Sequence, residues 1–188
     1  MLSPRSVQSG YGRRGRRRRR GRDGPDVAAT LVRPDGTVAE TSLGDLVADR
    51  PVLLCFYTVD FSPDCVEEWC AFRDFGWFAS GGEVDVVGAS KSGVVLHRRF
   101  IDRLDLNFPL YADEDLALAE AFGVDYRALG LFRRSRRSCF LIDGDLTVRY
   151  RWVADHWLDP TRQVPPVEEI HEGVRAALDP PEPERFGF

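Results

Sequence analysis

PVLLCFYTVDFSPDCVEEWCAFRD, Pro51 to Asp74, decides the fold. PVLLCFY is a short continuous apolar run, the pattern of a central strand covered on both faces. A Ser-Pro turn follows, and Pro63 suits the first turn of a helix, where its missing N–H costs nothing. The helix is expected to run from about Pro63 through Phe75.

Downstream, EVDVVGAS (Glu83 to Ser90) reads as a second buried strand. Leu96, Phe100 and Leu104 recur at helical spacing and predict a second helix that closes a right-handed crossover. FPLYAD (Phe108 to Asp113) reads as a short connection or an edge strand. A brief helix through Leu116, Ala119 and Phe122 should stop at Gly123. SCFLI and LTVRYRWV flank Asp143-Gly144-Asp145, a hairpin signal. Val167, Ile170, Val174 and Ala177 or Leu178 give a closing helix one apolar face. Upstream, DVAATLVRPDGTVAETS should add a small hairpin turning at Asp35-Gly36. This order predicts an α/β domain of thioredoxin-like fold, a central mixed β-sheet flanked by helices, over residues 25–179. Residues 1–24 are expected to be a disordered Arg-rich extension and residues 180–188 a flexible tail.

The formal charge of −4 hides an asymmetry, because the first 22 residues hold nine arginines and no acid. Without them 17 basic residues face 30 acidic ones, among them a single lysine, Lys91. That balance argues against nucleic-acid binding by the folded part, and polyanion contact is expected only non-specifically, through the arginine block. No apolar run approaches a membrane span or a signal peptide, so the reading is cytoplasmic. Four cysteines (Cys55, Cys65, Cys70, Cys139) are too few for a disulfide scaffold, and paired ones in a reducing compartment should cycle.

Cys65 and Cys70 pose a choice between a redox couple, a metal site and two buried thiols. Structural zinc wants four ligands in close pairs, and His97, His156 and His171 are scattered. Cys65 follows a buried strand and lies near a helix N-terminus, where unpaired N–H groups and the macrodipole favour the thiolate. Ser62 can cap that turn or offer its hydroxyl to a ligand. Five helical residues rotate ~500° and rise ~7.5 Å, so a Cys65–Cys70 bond needs the helix to open. Cys55 lies mid-strand and reads as a buried structural thiol, as does Cys139.

YTVDFSPDCVEEWCAFRD (Tyr57 to Asp74) resembles the active-site segment of peroxiredoxins of the AhpC/TSA family, in particular the bacterioferritin-comigratory or Q-type. The resemblance extends through VVGASKSGVVLHRRFIDRLDLNFPLYADEDLALAEAFGV and RSCFLIDGDLTVRY. It implies a peroxidatic Cys65, a resolving Cys70, Ser62 as the hydroxyl that orients peroxide and Arg137 as the arginine that stabilises the thiolate. Thr58, standing where the pattern has proline, and Val66, standing where threonine is usual, fall in the substrate pocket. Arg137 ends the run RRSRR, which otherwise reads as a solvated loop, with Arg136 as its rival for the role. Glu68 and Arg73 read as helix-surface or supporting residues.

The implied reaction is reduction of hydrogen peroxide or an alkyl hydroperoxide, its oxygens held by the Cys65 and Val66 amides, Ser62 and Arg137. Cys65 becomes sulfenic acid and closes a disulfide with Cys70, which thioredoxin or another dithiol protein reopens. No metal or organic cofactor is implied, and the chain is expected to be a monomer or weak dimer. Two alternatives use the same residues differently: a thiol-disulfide oxidoreductase or redox sensor, and a non-catalytic redoxin-like binding module acting through its arginine tail.

Overall fold

The computed structural model describes residues 24–80, 82–128, 132–155 and 163–179; the arginine block and the last nine residues lie outside them. In chain order, β1 (Ala28–Val32) and β2 (Val38–Ser42) form the expected hairpin, with Gly36 at φ 84 in its turn. The short helix α1 (Leu43–Leu46) is closed by a capping box between Ser42 and Asp45. β3 (Val52–Phe56) leads to α2 (Pro63–Asp74) and the one-turn α3 (Gly76–Ala79). Then come β4 (Asp85–Ser90), α4 (Val94–Leu104), β5 (Leu110–Ala112) and α5 (Ala117–Ala121), which ends before Gly123 at φ 68. β6 (Asp125–Ala128) and β7 (Phe132–Ser135) make a separate ribbon, β8 (Ser138–Ile142) and β9 (Val148–Val153) a hairpin, and α6 (Val167–Leu178) follows.

The main sheet has seven strands in the order β2-β1-β5-β4-β3-β8-β9. β4 runs parallel to both β3 and β5, whereas β8 is antiparallel to β3 and β1 antiparallel to β5, so the sheet is mixed as expected. β3 lies inside it, covered on both faces, which explains its unbroken apolar sequence. Leu53, Cys55 and Tyr57 face a core shared with α2, α4 and α6, while Val52, Leu54 and Phe56 face a second core with α1, α5 and Phe140. Trp69 of α2 lies so close to β4 that a Cβ at Gly88 would stand 2.5 Å from its ring, and only glycine permits that approach.

Three expectations need correction. β5 is no edge strand: it pairs with β1 on one side and β4 on the other. In α4 the buried face is His97, Phe100 and Ile101, while Leu96 is exposed, because a histidine occupies the core position. The arginine run is not a solvated loop, since Phe132–Ser135 pairs with β6.

Candidate active site

Between β3 and α2 the chain makes a sharp entry. Phe61 adopts φ 61, a left-handed conformation uncommon outside glycine, and its ring packs edge-on against Phe100 of α4 at 5.2 Å. Ser62 is the N-cap with extended backbone and Pro63 opens the helix. The Ser62 carbonyl accepts from the amides of Cys65 and Val66, each at 3.0 Å. Those two amides are therefore engaged, contrary to the expectation that they face a peroxide oxygen. The Ser62 hydroxyl does not cap the helix, and its Oγ is buried with no hydrogen-bond partner among the described residues. Thr58 Oγ1, in the same entry, is buried and unpaired in the same sense. Buried hydroxyls rarely go unsatisfied, so both retain hydrogen-bonding capacity that the described residues do not use.

Cys65 is buried on the first turn of α2, with Val66 half-buried beside it. Arg137 Nη2 donates to Cys65 Sγ at 3.2 Å. Its Nη1 donates to Oε2 of Glu68, one turn along the same helix, and both Arg137 and Glu68 are buried. Backbone bonds decide that Arg137, not Arg136, turns inward. The Arg136 N–H donates to the Val124 carbonyl at 2.8 Å, and the Arg137 carbonyl accepts from Ala154 at 2.9 Å. Arg136 is left exposed, 5.8 Å over the Tyr126 ring. Although burial works against the charge, Glu68 and Cys65 hold the Arg137 guanidinium above its ordinary value. Burial pushes the Glu68 carboxyl up to about 7 despite the arginine, so Glu68 is a member of the site and not a helix-surface residue.

Behind the entry loop lies a buried polar cluster that the sequence reading overlooked. The Tyr57 hydroxyl donates to Asp60 Oδ1 at 2.6 Å, and His97 Nδ1 lies 2.9 Å from Asp60 Oδ2. This second approach has ion-pair distance without linear hydrogen-bond geometry. His97 Nε2 lies 3.0 Å from the Tyr111 carbonyl, which can only accept, so that nitrogen carries a proton. The Asp60 N–H donates to Ser92 Oγ at 2.9 Å, tying the loop to the segment before α4. Ser135 Oγ donates to the Tyr57 carbonyl at 2.7 Å, tying it to β7.

The remaining thiols fall as expected by burial. Cys55 and Cys139 face each other across β3 and β8, fully buried, and burial pushes the Cys55 thiol well up. Cys70 is half-buried on an unbroken α2, and all four cysteines are free.

Residues 21–151 match the model of the AhpC/TSA family. The chain belongs to the AhpC/TSA family. Peroxiredoxin Bcp of Escherichia coli strain K12 is 33% identical over 123 residues, which are 64% of this chain and 78% of that protein. The crystal structure of peroxidoxin BcpB from Mycobacterium tuberculosis is similar with a TM-score of 0.65 and 27% identity, over 82% of this chain and 97% of the other. A reduced 2-Cys peroxiredoxin of Plasmodium vivax shares the fold at a TM-score of 0.71 and 21% identity, over 84% and 81% of the two chains. As an AhpC/TSA protein of the Bcp kind, the chain is a thiol-dependent peroxidase with the thioredoxin-like fold. Among the described residues no helix is long and apolar enough to cross a membrane.

Proposed function

We propose that Cys65 is the peroxidatic thiol and Cys70 its resolving partner. The observation that carries this reading is the buried Arg137 guanidinium 3.2 Å from the sulfur of Cys65, which is buried on the helix that Ser62 opens. A fixed cation there stabilises the thiolate and then the charge that develops on the departing oxygen. The Ser62 hydroxyl orients the peroxide, with Thr58 and Val66 as pocket walls.

The Cys65 thiolate attacks the O–O bond of hydrogen peroxide or an alkyl hydroperoxide. Sulfur gains OH, the O–O bond breaks, and the departing alkoxide or hydroxide takes up a proton. The Cys70 thiol then displaces the hydroxyl of the sulfenic acid, giving a disulfide and water. Because α2 holds the two thiols on different faces, this step follows unwinding of the intervening turn. A thioredoxin-like dithiol protein returns both thiols, in a cytoplasmic monomer or weak dimer.

Peroxide consumption with dithiothreitol or thioredoxin as reductant tests the reading. Cys65→Ser should abolish turnover, while Cys55→Ser and Cys139→Ser keep most of it. Full activity in Cys65→Ser would refute the assignment.

A further inference from the structure

Arg137 presents one terminal nitrogen to Cys65 and the other to Glu68, with all three side chains buried. One guanidinium neutralises one anion. With a thiolate and a carboxylate both charged, the group would carry a net negative charge out of water, which burial strongly disfavours. With one proton retained between them, the group is neutral.

Among the described residues, the other titratable groups facing this trio do not supply a second positive charge. Cys55 on β3, which interacts with Glu68, and Cys139 opposite it on β8 carry thiols, and Tyr57, just after β3, faces Cys65 with a phenol. Burial raises both Cys55 and Tyr57 well above their ordinary values, so both stay neutral at neutral pH.

Two features decide which partner keeps the proton. Cys65 is the third residue of α2 and Glu68 lies a turn further in, so the helix N-terminus favours the negative charge on sulfur. Glu68 Oε1 is buried with no hydrogen-bond partner among the described residues, a costlier position for a carboxylate than for a neutral acid.

We propose that Cys65 and Glu68 share a single proton beneath the Arg137 fork, so that the reactive state is a Cys65 thiolate beside a protonated Glu68. The inference rests on Cys65 as the peroxidatic residue. The upward displacement of Glu68 to about 7 accords with it.

The exchange in the resting site is Cys65–SH plus Glu68 carboxylate to Cys65 thiolate plus Glu68 carboxylic acid. On attack, sulfur gives up its negative charge as it gains OH, and Arg137 can again neutralise Glu68. The carboxyl gives its proton to solvent, the departing alkoxide or hydroxide takes one up from solvent, and the net change is thiolate, carboxylic acid and ROOH to sulfenic acid, carboxylate and ROH. Glu68 thus acts through Arg137 and Cys65, as a charge-balancing residue and not as a ligand of peroxide.

Iodoacetamide alkylation of Cys65 in the full chain, followed against pH by peptide mass spectrometry, tests the idea without relying on turnover. Wild type should titrate in two overlapping steps, as coupled groups do. Glu68→Gln, which keeps a hydrogen-bonding partner for Arg137 but cannot compete for the proton, should titrate in one step. Its half-alkylation pH should lie below that of wild type, with reactivity at the acid end raised several-fold. If Glu68 served only to hold Arg137, Glu68→Gln would move the half-alkylation pH upward, and an upward or absent shift overturns the proposal.

Should Glu68→Gln not fold, infrared difference spectra of Cys70→Ser before and after one equivalent of peroxide decide the matter. Loss of a carboxylic-acid C=O band with gain of carboxylate bands supports the proposal, and no change in them refutes it. Failure of Cys65→Ser to abolish turnover would strike the peroxidatic assignment itself, a result separable from either titration.

Discussion

His97 Nδ1 lies 2.9 Å from Asp60 Oδ2 in full burial, linking α4 to the loop that delivers Ser62 and Cys65. Removing one partner leaves the other buried polar group without that contact. His97→Phe should cost about 1–3 kcal/mol, lowering Tm by roughly 5 °C in a chain of this size. The double variant Asp60→Asn, His97→Phe should lose less than the two single losses combined, because the two residues share one contact. Thermal melts of the four proteins check this, and a wild-type Tm in His97→Phe would show that the contact contributes nothing.

Arg137→Met should slow peroxide reduction by well over about tenfold, through loss of the fixed cation beside the sulfur. Arg136→Met, whose side chain is exposed over Tyr126, should stay near wild type. Stopped-flow rates with limiting peroxide compare the two. A damaging Arg136 and a silent Arg137 would reverse the inward and outward roles.

A stoichiometric peroxide pulse should give a monomeric Cys65–Cys70 disulfide, with loss of helical circular dichroism as the turn between them unwinds. Trp69 lies in that turn, buried against Tyr57, Phe72 and Phe108, so its emission should shift red in the same phase. Cys70→Ser should reduce one equivalent and stop at the sulfenic acid, open to overoxidation. A disulfide from Cys65 to Cys139, found by mass spectrometry, would rule out Cys70 as the resolving thiol.

Stability should carry the signature of Glu68. Burial sets its folded value at about 7, above the ordinary carboxylate value of 4.5. Between those limits the folded chain holds a proton that the unfolded chain has lost, so this group's contribution is full below the window and disappears as pH rises through 7. The Tm of wild type should fall relative to that of Glu68→Gln by roughly 5 °C from pH 5 to pH 8. Parallel curves for the two proteins would remove Glu68 as the source.

The strand and helix around Cys65 were legible because each carries a local signal: an unbroken apolar run for β3, then proline at the head of α2. The hairpins at Gly36 and Asp143-Gly144 were legible for the same reason. β5 was not, since three residues are too short for periodicity to reveal a place between two other strands. His97 escaped because a hydrophobic pattern passes over a polar residue whose partners, Asp60 and the Tyr111 carbonyl, come from elsewhere in the chain. For Glu68 the sequence left helix surface and supporting role open, because an acid is ordinarily exposed and its cation lies 69 residues away. One signal was available: Cys65, Glu68, Trp69 and Phe72 share the i, i+3, i+4, i+7 spacing of a buried helix face, so the glutamate stands inside an apolar stripe. The choice between Arg136 and Arg137 rests on backbone bonds to Val124 and Ala154, which no local sequence pattern announces.

The pairing of β1 with β5 also sets an order of assembly. β3, α2, β4, α4 and β5 follow one another in the chain and meet through comparatively short loops, whereas β1 pairs with β5, the last of them, and Tyr111 donates to the Thr41 carbonyl across 70 residues. Contacts that close long loops are expected to form late. During synthesis the β1–β2 hairpin is made well before β5 and has no sheet to join until Leu110–Ala112 has left the ribosome, which leaves Leu31 and Val32, fully buried in the finished molecule, in water until then. The hairpin that comes early in the chain is thus among the last parts to find its place.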